Sequence, residues 1–298
     1  MRVNKMPETQ TYKLSDAESQ RAQSLVVPAI AFCDTQSFPL GAAMIRHHWQ
    51  DGPAQPIIDA LAAYQNPDGG FAHELEVDIK SPVSNPFAAR LAMQVLLSVK
   101  GDSGGDLRNG LGAWLQTNQN ADGDWHFAAE IYDSPLPFWF AGWEFPSLNP
   151  ACCLAGLAMR LGVARPEMLD RVRKLFDELA SLEEAGNGEF YNVLPYAEYL
   201  PAIDRDAQDE YLDAIAQGIV QRENGQVYAD AGHFFEHTLG GGPDLVRRIP
   251  APVIAAQTAR LLGKVQDDGG WPTPYDPAWR PWQTANALIT LARLRDGA

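Results

Sequence analysis

Cysteine, basic charge, long apolar runs and strand-like alternation are all scarce in this chain, and each shortage removes a class of protein. The only cysteines are Cys33, Cys152 and Cys153. An odd count with an adjacent pair is a poor disulfide framework, and no CxxC spacing offers a zinc site. Reduced, mostly buried thiols are therefore expected. Lys and Arg number 23 against 38 Asp and Glu, for a formal net charge of -15. Neutralising phosphate takes Lys and Arg, so neither nucleic acid nor an anionic lipid surface is an expected partner. No run of about 18 apolar residues occurs, so no membrane span is expected. Met1 to Arg21 is polar throughout, without the apolar core of a signal peptide, and a cytoplasmic location follows as an expectation. Alternating β-branched runs bounded by hairpin turns are nearly absent. No Gly-x-Ser-x-Gly elbow, phosphate-cradling glycine loop after a strand, or Cys–His nucleophile pattern is found.

What the chain does have is a folded composition and a repeat. Of its 298 residues 46% are hydrophobic and 20% charged, which suits a packed domain. Three segments resemble one another: Gln65-Asn66-Pro67-Asp68-Gly69-Gly70-Phe71, Gln119-Asn120-Ala121-Asp122-Gly123-Asp124-Trp125 and Gln266-Asp267-Asp268-Gly269-Gly270-Trp271. Degenerate copies lie at Ala185-Gly186-Asn187-Gly188-Glu189-Phe190 and Arg222-Glu223-Asn224-Gly225-Gln226-Val227-Tyr228. The spacing is roughly 50 residues, within the range of repeated supersecondary units. Asp-Gly or Asn-Gly makes a tight turn, because glycine accepts a positive φ. The aromatic that follows can pack beneath the turn. The Gln before it can hydrogen-bond the exposed backbone ends of a neighbouring helix.

Helical patterns flank every turn. Pro56 to Tyr64, Leu107 to Thr117, Pro166 to Leu182, Asp206 to Gln221 and Pro252 to Gly263 precede turns and are amphipathic. Asn85 to Val99 and Asn149 to Leu161 follow turns, each opening with Asn as N-cap and Pro at the first helical position. Gln283 to Leu294 is the last of this second kind. The second kind is richer in Ala, Leu and Met and poorer in charge, as befits helices buried on most sides. The expected fold is all-α: an α/α toroid, a double-walled barrel of about six helix pairs. Residues 25–298 are expected to form this single domain, with 1–24 as an N-terminal extension. His47 and His48, on an early helical stretch, are expected at the surface.

The Gln-x-x-Asp-Gly-Gly-Phe/Trp turns resemble the QW-type repeats of squalene cyclases and other class II terpenoid cyclases. They are also similar to the repeats of protein prenyltransferase β subunits. The resemblance runs over roughly residues 25–296 and implies an α/α toroid around a central cavity, often apolar and lined by aromatics. The Asp-x-Asp-Asp acid motif of those cyclases is missing; Asp122-Gly123-Asp124-Trp125 sits within a turn and lacks the third acid. The Asp-Asp-x-x-Asp motif of class I synthases and the Asp-x-Cys zinc pair of prenyltransferases are missing too. The resemblance therefore implies a fold and a substrate class, without catalytic residues to carry over.

If each turn joins an outer helix to an inner one, the segments after the turns emerge at one end of the barrel. These are Ala72 to Ser84, His126 to Leu148, Ala229 to Arg248 and Pro272 to Trp282. Long loops in a helical domain are uncommon without a function. The first carries His73, Glu74, Glu76 and Asp78. Crowded carboxylates raise one another's pKa, so one can stay protonated as a general acid; the plainer alternative is a solvated acidic loop. The second is dense in aromatics, with Trp139, Trp143 and Glu144, and serves either to shape an apolar or cationic guest or to plug the barrel end. The third carries His233-Phe234-Phe235-Glu236-His237. On a helix His233 and His237 share a face, where zinc is one alternative and a structural pair or proton relay the other, because a catalytic zinc needs three protein ligands. No cofactor is otherwise expected. The last loop offers Tyr275, Trp279, Arg280 and Trp282 as a hold for an anionic or hydroxylated group, or as an Arg–aromatic lid, with Arg247 and Arg248 nearby.

The leading expectation is a lyase- or isomerase-type enzyme acting on an isoprenoid-like or other apolar small molecule. Glu74, Glu76, Asp78 or Asp124 would serve as acid, and His73, His126 or His233 as base. A carbohydrate-active α/α barrel and a non-catalytic ligand- or partner-binding toroid are the alternatives. The sequence leaves the oligomeric state open.

Overall fold

A computed structural model describes residues 12–99, 101 and 103–297, and among these no strand forms, only an antiparallel bridge between Gln65 and Phe71. The helices in chain order are α1 (Asp16–Thr35), α2 (Pro39–Trp49), α3 (Gln55–Ala62), α4 (Pro86–Ser98), α5 (Gly105–Asn118), α6 (Phe138–Ala141), α7 (Leu148–Leu161) and α8 (Pro166–Leu179). After them come α9 (Leu182–Asn187), α10 (Phe190–Tyr199), α11 (Arg205–Asn224), α12 (Ala231–Gly240), α13 (Gly242–Val246), α14 (Ala251–Gly263) and α15 (Arg280–Asp296). The inner wall is made by α2, α4, α7, α10, α12 and α15. The outer wall is made by α1, α3, α5, α8, α11 and α14. Together they form an α/α toroid of six pairs.

Burial follows the sequence pattern. Outer α8 hides only Met168, Val172, Leu175 and Phe176, one stripe at helical spacing. Inner α4 hides almost everything from Pro86 to Leu96, and its alanines let neighbouring helices approach. Asn85 caps α4 by accepting the Ala88 N–H at 2.9 Å. Asn149 does not cap α7 in the expected way. It has the extended backbone of an N-cap immediately before Pro150 (φ -107, ψ 111), but its side chain bonds elsewhere: the amide donates to Tyr191 O at 3.3 Å and the oxygen accepts from Cys153 Sγ at 3.8 Å.

The repeated turns act as staples between successive pairs. Gln65 Nε2 closes its own turn on Gly69 O (2.9 Å) and also donates to Leu107 O of α5 (3.0 Å). Gln119 does the same with Gly123 O (2.9 Å) and Met168 O of α8 (3.1 Å). The acceptors lie inside the first turn of the next outer helix and use a second carbonyl lone pair; they are not exposed ends. The turn glycines have positive φ and no room for a side chain. A Cβ on Gly69, Gly123 or Gly269 would stand 2.2, 2.6 or 2.5 Å from the carbonyl oxygen of Gly110, Arg171 or Pro28. Pro28 belongs to α1, so the last turn is pressed on the first helix and closes the ring. The aromatic of each turn is buried beneath it. Trp125 Nε1 donates to Leu115 O and Trp271 Nε1 to Leu261 O, both at 2.8 Å. Those carbonyls sit in the last turns of α5 and α14, where the helical ladder runs out, and Leu261 O also takes the Lys264 N–H at 3.4 Å. In the degenerate copy at 185–190 the staple is Arg222 of α11, whose Nε donates to Gly188 O at 2.9 Å.

The inner ring closes where α15 meets α2: Trp49 Nε1 donates to Leu288 O at 2.9 Å, and the Phe38 and Trp282 rings lie 5.0 Å apart. Helix α1 runs across position 24 and buries Ala22 and Leu25; of the extension expected at 1–24, residues 1–11 lie outside the described residues. His47 and His48 are buried, contrary to the surface expectation. The Ala229–Arg248 segment is largely helix (α12 and α13) and not a loop, because Asp230 caps it by accepting the His233 N–H at 2.9 Å. All three cysteines are buried free thiols. Among the described residues no helix is long and apolar enough to cross a membrane.

Candidate active site

Three inner helices, α4, α10 and α12, each send one charged side chain to a common point inside the barrel. Arg90 is the only charged residue of α4, and Glu198 the only one of α10. The Arg90 guanidinium forks onto Glu198, with Nε at 2.9 Å from one oxygen and NH2 at 2.8 Å from the other. The same NH2 reaches Glu236 of α12 at 2.6 Å, and Gln94 Nε2 donates to Glu198 at 2.9 Å. A bidentate pair of this kind fixes both planes as well as supplying energy. Glu198 is 1% exposed, so the Arg90–Glu198 pair lies away from bulk water, while the Glu236 side chain keeps 32% of its surface open.

A cavity of about 550 Å³ lies against this network, within the size range of small-molecule sites. Glu198, Glu236 and His233 are on its wall, with apolar surface from Leu157, Phe235 and Trp282. Polar wall comes from Gln94, Gln283, Asn286 and Thr290. Asp230 also lines it, and its second carboxylate oxygen is buried with no hydrogen-bond partner among the described residues.

The loop after the first repeat brings Glu76 to the rim side of the network. Glu76 is 9% exposed, and burial together with the charges of Asp78 and Glu236 raises its carboxyl to about 8, against the opposing pull of Arg90. It is therefore a neutral acid at neutral pH. Asp78 is also raised, chiefly by burial, although Trp279 Nε1 donates to it at 3.0 Å. Thus the first and last loops meet here. Tyr275 hydroxyl lies 3.3 Å from His233 Nε2, and the His233 ring sits 4.0 Å from Phe190. Glu76, Asp78, His233, Tyr275 and Trp279 are brought together at one end of the barrel.

Other expected site residues are placed elsewhere. Glu74 is exposed and 3.8 Å from Lys80. His73 is exposed and bonded to Asn66 at 2.8 Å. Asp124 is fully buried; its two oxygens accept the N–H groups of Trp125 (2.7 Å) and Ser147 (2.8 Å), so it ties a loop to a turn, even though burial raises it to about 6. His126 pairs with Asp122 at 2.8 Å and stacks on Phe145. Glu144 is exposed. Trp143 belongs to a small satellite core with Ile79, Phe87, Phe127 and Phe140, and its indole donates to Asn149 O at 3.2 Å. Trp139, 47% exposed at the rim, is the exception: its side chain reaches Asp78 and so joins the cluster above. Arg280 is spent on Asp268 (2.9 Å) and lies over the Phe32 ring, locking the last turn. Arg247 and Arg248 pair with Asp244 and with Asp209 and Asp213.

His233 and His237 do share a face, both against Phe190. His237 is fully buried with both nitrogens committed: Nε2 donates to Phe190 O and Nδ1 accepts from Tyr228, each at 2.9 Å. Burial drives it down to about 3. It therefore has no lone pair left for zinc, and no cluster of three metal-ligating groups occurs among the described residues.

The type II terpene cyclase MstE from Scytonema, solved with its substrate geranylgeranyl dihydroxybenzoate, aligns with 95% of this chain and 99% of its own, at TM-score 0.59 and 14% identity. The chain has the α/α-toroid fold of the terpenoid cyclases. No family model matches the sequence, and no curated protein does. No motif or spacing in the sequence singles out Arg90 or Glu198, and Glu236 stands out only as the acid between His233 and His237. The available signal was a lone charge inside an otherwise apolar inner helix.

Proposed function

We propose that this terpenoid cyclase-like toroid is an enzyme that isomerises, cyclises or eliminates from an isoprenoid-like or other largely apolar small molecule held in the barrel cavity. The observation that carries the reading is the cavity walled by Glu236 and His233, with the neutral acid Glu76 near enough to Glu236 to be raised by its charge. Protonating a double bond and removing a proton elsewhere is redox-neutral and needs only an acid and a base. Glu76 supplies the proton in this scheme. Glu236, oriented by Arg90, and His233, hydrogen-bonded to Tyr275, are the groups that receive one from the substrate. Phe235 and Trp282 provide ring faces for developing positive charge.

The polar wall from Gln94, Gln283 and Asn286 favours a second reading, a hydroxylated ligand such as a sugar. Both are tested by incubating the protein with panels of polyprenyl alcohols, prenylated arenes and oligosaccharides, with product detection by mass spectrometry. Turnover of a prenyl compound, lost by about a hundredfold or more in Glu76→Gln and in Glu236→Gln, is the expected result. Turnover confined to sugars, or full activity in both variants, would reject the first reading.

A further inference from the structure

The end of the cavity away from the acid cluster carries the opposite charge. Inner helices start at the rim loops, so their C-terminal turns lie at the far end of the barrel. Arg160 in the last turn of α7 and Arg293 in the last turns of α15 both line the cavity there. Arg160 NH1 donates to Gly240 O at 3.3 Å and Arg293 NH2 to Leu239 O at 3.0 Å, so both guanidiniums gather on the C-terminus of α12. Neither forms an ion pair among the described residues, in a chain where acids outnumber bases. Glu198, on the same wall, is committed to Arg90 and Gln94. Two like charges are thus held side by side over cavity surface. Burial inside the barrel and then repulsion from Arg160 lower Arg293 to about 10, although its surface still faces the open cavity. Most of their N–H groups remain available.

We infer that Arg160 and Arg293 form an oxyanion subsite that takes the carboxylate or phosphate head of an otherwise apolar small molecule. Its tail then runs past Leu157, Phe235 and Trp282 towards Glu236 and His233. The inference rests on the proposed occupancy of this cavity and adds the head-group class. An incoming anion offsets the repulsion between the two arginines, and a planar guanidinium fork suits both kinds of head.

Titration of the full-length chain with octyl phosphate, octanoate and 1-octanol, followed by quenching of the cavity tryptophans, tests it. At least one anion should bind about tenfold or more tightly than octanol. Whichever anion binds better identifies the head. The Arg160→Gln/Arg293→Gln double variant should lose that preference while its affinity for octanol stays unchanged. Inorganic phosphate should compete with octyl phosphate, or acetate with octanoate where that anion binds better, on the unmodified protein, a readout that survives if the double variant fails to fold. Equal binding of octanol and both anions, no binding of either anion, or no competition by the matching small anion would overturn the proposal. These are equilibrium affinities, so a failure of the acid–base assignment to Glu76 and Glu236 would leave them untouched, and the two readings fail separately.

Discussion

Replacing Arg90 by Met should cost stability out of proportion to the atoms removed. Three charged hydrogen bonds disappear, at 2.9, 2.8 and 2.6 Å. More important, Glu198 is left buried without its counter-charge, and Glu236 loses its orienting partner. Removing one member of a buried ion pair costs about 3–5 kcal/mol, mostly from the stranded charge. In a chain of 298 residues each kcal/mol moves the midpoint by about 2 °C, so a fall of about 6–10 °C is expected by calorimetry. The reasoning makes a sharper demand on the second step. If the cost comes from stranded carboxylates, Arg90→Met/Glu198→Gln/Glu236→Gln should recover most of the loss, because the neutral amides cost far less to bury. A single variant that melts within about 1 °C of the unmodified protein would refute the picture. So would a triple variant no better than the single.

The pH dependence has two opposed contributions. Glu76 is raised from 4.5 to about 8 on folding, so its favourable contribution is fully present below about pH 4.5 and is lost as the pH rises through 8. Glu76→Gln should therefore gain on the unmodified protein across that window, by up to about 4 kcal/mol, in urea melts run at several pH values. His237 is lowered from 6.5 to about 3, so its contribution is present above pH 6.5 and is lost on acidification. Its ring carbon proton, followed by NMR, should show no titration above about pH 4, and a midpoint near 6.5 would contradict the buried tautomer. Gly269→Ala forces a methyl to 2.5 Å from Pro28 O at a φ of +84, and should lower stability by about 1–3 kcal/mol. Trp271→Phe removes the indole bond to Leu261 O and should cost about 1 kcal/mol by the same denaturant assay.

The turns were legible in the sequence because their chemistry is local. An Asp-Gly pair needs a positive φ wherever it occurs, and the helical periods on either side name the pairs without any knowledge of neighbours. What the repeat did not disclose is that each staple reaches the next outer helix, since Leu107 and Met168 are marked by nothing but their place in a ring. The acid loop was legible in part. Glu74, Glu76 and Asp78 look alike as sequence, and only the fold decides that the first faces water beside Lys80 while the second is buried near Glu236. Asp124 misleads for the same reason: a buried carboxylate in a turn is as easily a clamp on two backbone N–H groups as an acid. Arg90, Glu198 and Glu236 come from three helices more than a hundred residues apart in chain order at the extremes, and no spacing rule links them. A physical rule does. An inner helix of a toroid has almost no face towards water, so a charge retained there must be paired across the barrel, and the place where such charges meet is a natural place to look for chemistry. Applied to the C-terminal turns, the same rule singles out Arg160 and Arg293, the inner-wall charges that lack a carboxylate among the described residues, and this is why the head group of a ligand is sought there.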